Sequence, residues 1–112
     1  MANNHKLRRF RKVAARRQRH RCHYCDVPMW SKNPVMFAEL HGLREEDAGH
    51  FQCTAEHVVA RRDGGIEHKN IVAACRYCNI TRHEADAPLA ADLYRENVQR
   101  DTSWLTRRLL TP

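Results

Sequence analysis

A small α+β domain, in which a strand hairpin runs into a helix and a metal staple holds the whole, is predicted by three features of this 112-residue chain. Two Cys-x-x-Cys pairs, Cys22/Cys25 and Cys75/Cys78, bracket its middle. Between them Cys53 to Ala60 alternates and carries β-branched residues, and Ile71-Val72-Ala73-Ala74 suits a return strand. Apolar residues at helical spacing flank this unit on both sides.

The elements follow in order. Leu7, Phe10, Val13 and Ala14 recur at helical spacing, so residues 5–19 read as an amphipathic helix with an Arg-rich outer face. Residues 1–21 form a basic helical arm, and 22–112 form the domain proper. Residues 26–52 read as an insertion after the first knuckle. Within it Pro34 suits the first turn of a helix over Val35–His41, Gly42 suits its stop, and Arg44-Glu45-Glu46-Asp47 reads as an exposed polar segment. Asp63-Gly64-Gly65 supplies a turn, because glycine accepts positive φ without steric cost, and Ile66 would open the return strand. A helix should begin near Cys75 and run through Asn79, Arg82 and His83. Residues 85–112 read as C-terminal helices. One restarts at Ala87-Pro88-Leu89 with Leu89, Leu93 and Val98 turned inward, and a last one is capped by Asp101 and bears Trp104, Leu105 and Leu109.

Size and charge narrow the class. A chain this short lies near the lower limit of what a hydrophobic core alone stabilises, so a staple is expected. No apolar run approaches the ~18 residues that span a bilayer, and the basic first twenty residues do not read as a secretory signal. A cytoplasmic location and no membrane partner are therefore expected, and in a reducing compartment paired cysteines favour metal over disulfide. Nine of the 20 Lys and Arg fall within residues 1–21, which contain none of the 13 acids; the arm carries +9, the rest −2, and the net is +7. A positive arm on a nearly neutral body fits a polyanion, with nucleic acid first among candidates.

Each Cys-x-x-Cys turn brings two sulfurs near one ion, and four thiolates satisfy Zn²⁺ in a tetrahedron. Cys22, Cys25, Cys75 and Cys78 leave no open position, so this zinc is expected to be structural. Its apparent binding energy, about 10–16 kcal/mol in small zinc modules, matches the whole stability of a small domain. Cys53 has no Cys-x-x-Cys partner and is expected to pack as a small apolar residue.

The residues between and after the knuckles run in a series: Glu56-His57, Asp63-Gly64-Gly65, Asn70, then Cys75-Arg76-Tyr77-Cys78-Asn79 and Arg82-His83. Here the sequence resembles the HNH nuclease family, over Cys22–Cys25 and roughly Cys53–His83. The resemblance implies a zinc-stapled ββα-metal, treble-clef-like domain with flanking helices. It implies that His57 is the general base and that Asn70 ties the hairpin loop and orients that base. It further implies that Glu56, Asn79 and His83 ligate a catalytic divalent cation. Glu56 stands where the family more often has Asp or His, and Asn79 where it more often has His. An amide oxygen is a hard ligand, favouring Mg²⁺ or Mn²⁺ over softer ions. Asn79 and His83 lie four apart, so one helix face presents both. Arg61, Arg62, Arg76 and Arg82 flank the site as candidate phosphate clamps, Arg82 foremost. Arg8, Arg9, Arg11, Arg16 and Arg17 would lie along a DNA backbone.

The resemblance implies a metal-dependent DNA endonuclease, a hydrolase that leaves a 5′ phosphate and a 3′ hydroxyl and works from the minor-groove side of duplex DNA. One motif per chain predicts nicking by a monomer, with a weak dimer or second encounter needed for a double-strand break. The alternative is a non-catalytic zinc-stapled adaptor that binds nucleic acid. A third possibility is a toxin-type nuclease held by an acidic immunity partner. Small free-standing proteins of this family occur in phages and mobile elements, where packaging, restriction or homing would all suit it.

Overall fold

The computed structural model describes residues 4–59 and 67–101. Arg61, Arg62, the Asp63-Gly64-Gly65 turn, Ile66 and the expected last helix with Trp104, Leu105 and Leu109 lie outside the described residues.

Helix α1 (Asn4–Arg17) lies against the sheet, as its periodicity predicts, but its phase differs. Ala14 and Ala15 are buried and Val13 is exposed. The seam also carries two polar side chains that an apolar pattern does not register. Arg11 Nη1 donates to the Cys53 carbonyl at 3.4 Å. The Gln18 amide accepts from Ala73 N at 2.9 Å and donates to Ala73 O at 2.7 Å. Gln18 thereby bonds backbone groups on the outer edge of a strand, where His23 N also donates to Ala73 O at 2.9 Å.

After α1 the chain turns through Arg19 and His20, both at positive φ, into the first knuckle. Helix α2 (Pro34–His41) has the expected ends: Asn33 Oδ1 accepts from Met36 N at 3.0 Å, Pro34 sits in the first turn, and Gly42 closes it at φ 65°. The following stretch departs from expectation. Residues Glu45–Phe51 form a 3₁₀ helix in which Asp47 is buried and ion-paired to Arg44 Nε at 2.8 Å. Ala48 and Phe51 enter the core beside Phe37 and Leu43. Residues 26–52, the segment between the first knuckle and β1, thus contribute to the core. The acidic run hid this, because neutralising Asp47 with Arg44 is what lets one face of the turn go inward.

Strands β1 (Cys53–His57) and β2 (Ile71–Cys75) pair antiparallel, from Cys53 opposite Cys75 to His57 opposite Ile71. β1 is shorter than the alternation over Cys53–Ala60 predicts, and β2 extends the expected Ile71–Ala74 by Cys75. Residues Glu67–Asn70 form a helical turn, α3, in place of strand. Helix α4 (Arg76–His83) leaves β2 without a loop, and α5 (Ala91–Arg100) closes the described fold. Leu89 and Leu93 are exposed, against expectation; α5 packs through Ala91, Tyr94 and Val98. The Tyr94 ring meets the Tyr24 ring edge-on at 5.0 Å, and that contact sets the helix phase. Asp101 closes α5, its N–H bonded to Asn97 O and Val98 O. Among the described residues two strands and five α-helical segments form one small α+β fold. No helix among them is long and apolar enough to cross a membrane.

Candidate metal centre and the adjoining acid and histidine cluster

The two knuckles meet where β2 becomes α4. Cys22, Cys25, Cys75 and Cys78 are all buried, and their sulfurs lie within 4.8 Å of one another. The Cys25 and Cys75 sulfurs are 3.7 Å apart. Cys75 also caps α4, its Sγ accepting from Cys78 N at 3.4 Å, while Cys22 Sγ accepts from Tyr24 N at 3.3 Å. Such N–H donors favour sulfur as thiolate. Hydrogen bonds from the other three cysteines, Cys25 foremost, hold Cys22 far below the usual thiol range, and the Cys22 sulfur pushes Cys75 and Cys78 above it. Four sulfurs this close resist ionising together unaided, because like charges repel. A dication at its centre reverses that balance and lets all four ionise. Donor type, number and spacing all fit Zn²⁺. Cys53 stays apart from the cluster, buried, with burial raising its thiol.

Beside this centre lies a buried charge cluster that no single sequence segment announces. Thr54 and Glu56 share the face of β1 that α4 covers, since side chains alternate along a strand. Glu56 is only 2% exposed, and Arg82 Nη1 donates to its Oε2 at 2.8 Å. Tyr24 Oη donates to the same oxygen at 2.9 Å and accepts from Arg82 Nη1 at 3.2 Å. The other carboxylate oxygen, Oε1, lies 2.9 Å from His83 Nε2, and the His83 side chain is 44% exposed. Oε2 is thus fixed by Arg82 and Tyr24, while the part-exposed His83 imidazole spans both oxygens, lying 3.2 Å from Oε2 as well.

Tyr24 is the member that sequence reasoning missed. It sits inside the first knuckle, fully buried, and its hydroxyl joins the knuckle to β1 and α4. Proximity to Glu56 and burial push that hydroxyl well above the usual phenol range, burial being the larger cause. Its place between Cys22 and Cys25 was the available signal, since a bulky residue within a knuckle has to pack somewhere.

The remaining predicted residues fall around this cluster. Asn79 Nδ2 donates to Thr54 Oγ1 at 3.0 Å and to Ala55 O at 3.1 Å, pinning α4 to β1. Asn70 is buried; its Oδ1 accepts from Val59 N at 2.8 Å and its Nδ2 donates to Val59 O. That double bond fixes the chain two residues beyond His57. His57 ends β1 in the register of Cys53 and Ala55, alternate to Glu56, and its carbonyl accepts from Arg82 Nη1 at 3.3 Å.

Arg82 requires a correction. It was expected as the best-placed phosphate clamp, yet it is 7% exposed and its guanidinium is bonded within the fold. Besides Glu56, Tyr24 and His57 it donates to Val58 O at 3.2 Å and Leu89 O at 3.1 Å. A guanidinium has five N–H donors in a rigid fork, and this one joins α4 to β1 and to the segment before α5. Arg76 remains exposed, as do Arg8, Arg9, Arg16 and Arg17, and Arg11 is half-buried on the α1 seam.

For a second, catalytic cation the donor set is smaller. Among the described residues the four cysteines are the one group of three or more His, Cys, Asp or Glu able to share an ion. Glu56 Oε1 and His83 Nε2 offer two ligand-type atoms in reach of each other, with Asn79 on the same helix face. Arg82 already balances the Glu56 charge, so any divalent cation there competes with a guanidinium and binds far more weakly than zinc at the thiolates. Comparison of the chain with protein-family models, with curated proteins and with solved structures finds no match.

Proposed function

We propose that this protein is a zinc-stapled, metal-dependent DNA endonuclease of the HNH type, acting in the cytoplasm, with a treble-clef-like ββα-metal element. The supporting observation is the direct passage from the β1–β2 hairpin into α4, which gathers Glu56, His83 and Asn79 beside a four-cysteine centre. In this reading His57 takes a proton from water, since a neutral imidazole accepts one near neutral pH. Asn70 holds the backbone that follows His57 and so limits its motion. Glu56 Oε1, His83 and Asn79 would hold Mg²⁺ or Mn²⁺, which when bound supplies charge neutralisation on the phosphate and on the departing 3′ oxygen. In-line displacement sets attacking and departing oxygens on opposite sides of phosphorus. The substrate is duplex DNA approached from its minor groove, and a single chain nicks one strand.

A second reading, a non-catalytic zinc-stapled nucleic-acid adaptor, is favoured by the Arg82–Glu56 ion pair, since a buried, neutralised acid also serves a purely structural role. Titration of zinc-loaded protein with Mn²⁺ separates the two. The nuclease reading expects one further Mn²⁺ site, much weaker than the zinc site, whose affinity falls at least about tenfold in His83→Ala, in line with loss of a ligand or its support. Full zinc occupancy with no Mn²⁺ site favours the adaptor.

A further inference from the structure

Two cavities among the described residues adjoin on the other side of β1 from α4, and together they form one groove. The larger, about 330 Å³, is bounded by Leu7, Arg8 and Arg11 of α1 and by Gln52, Cys53 and Ala55. The smaller, about 220 Å³, continues past Arg11, Lys12 and Arg16 to His20 and Lys32. Arg11, Ser31 and Cys53 line both. Five permanent cations thus face the groove, and no acid is among its described lining residues. None of the five has a carboxylate partner among the described residues. Like charges gathered without a counter-charge repel one another, and the arrangement is relieved when an anion enters.

Along β1 the groove is lined by Cys53, whose carbonyl accepts from Arg11 Nη1, and by Ala55. His57 follows Ala55 in the same register, about 7 Å further at the rise of an extended strand. We infer that this groove is a track for the sugar–phosphate backbone of the DNA strand, in which Arg8, Arg11, Lys12, Arg16 and Lys32 contact phosphates on the way to His57. The inference deepens the nucleic-acid reading above and does not depend on cutting. It differs from a basic arm laid along DNA: α1 is docked on the sheet, Arg9 and Arg17 fall outside the groove, and Lys32 joins from the segment after the first knuckle.

The test is the salt dependence of binding to a labelled DNA duplex, measured by anisotropy on zinc-loaded protein without added Mg²⁺ or Mn²⁺. Each lost phosphate contact lowers the slope of log K against log salt by about 0.9 on duplex DNA. Arg11→Gln with Lys32→Gln should lower it by about two, and Arg9→Gln with Arg17→Gln by less than half as much. Because Arg11 also bonds Cys53, the exposed Lys32→Gln alone serves as a second variant and should lower the slope by about one. Equal reductions in both pairs, an unchanged slope in Lys32→Gln, or no DNA binding by the wild type would each overturn the track. Plasmid cutting is scored separately. A groove-dependent slope with no cutting removes the nuclease and leaves the track, and cutting with equal slopes does the reverse.

Discussion

Cys75→Ser is expected to abolish cooperative folding. The cysteine is fully buried, completes the four-sulfur set and caps α4 at once. Structural zinc contributes about 10–16 kcal/mol apparent in small modules, while the net stability of a domain is only about 5–15 kcal/mol. Losing one thiolate therefore removes an amount comparable with everything that keeps the chain folded. The same collapse should follow from a strong chelator, and from acid, because protons compete with zinc for thiolates and binding is lost as pH falls. Circular dichroism with zinc content on the same samples reads this out. The variant should lack both bound zinc and a sigmoidal unfolding transition. Cys53→Ser, outside the cluster, should retain its zinc. A Cys75→Ser protein with full zinc and a near-native melting midpoint would contradict the staple.

The second large effect is expected at Arg82. Arg82→Ala leaves the buried Glu56 carboxylate without its cation and also strips donors from the His57, Val58 and Leu89 carbonyls. Removing one partner of a buried ion pair costs about 3–5 kcal/mol, mainly because the remaining charge is uncompensated. Removing both should cost less, so Glu56→Gln combined with Arg82→Met should recover part of the loss. Urea unfolding of the three proteins, each zinc-loaded, gives the comparison. An Arg82→Ala change below about 1 kcal/mol, the range of an exposed pair, would mean that the cluster is not the buried junction described.

What could be read from the chain and what could not divides along physical lines. The knuckles were legible because metal chemistry demands fixed residue types at fixed spacing. The ends of α2 were legible because Asn33, Pro34 and Gly42 act on backbone groups within one turn. The hairpin and α4 were legible from alternation followed by helical spacing, although α3 replaced the start of the return strand. The Glu56–Arg82–Tyr24 cluster was not, because it joins residues 26 and 32 positions apart through side-chain geometry that no local pattern encodes. Arg82 looked like a phosphate ligand because a surface arginine and a buried one are the same letter. Gln18 and Arg11 were missed for a related reason: polar groups that seal an edge or a seam break the apolar stripe used to find the packed face. The phase of α5 was misread because two leucines outweighed Tyr94, whose partner Tyr24 lies in another element.

Supercoiled plasmid decides the endonuclease assignment. Zinc-loaded protein is incubated with it in Mg²⁺, in Mn²⁺ or in EDTA, beside a His57→Ala variant checked for folding and for DNA binding. The account predicts nicked circles only with added Mg²⁺ or Mn²⁺, and a rate at least about 100-fold lower in the variant, the usual contribution of a general base. If both proteins bind the plasmid equally and neither nicks it with either ion, the endonuclease assignment is contradicted and the adaptor stands in its place.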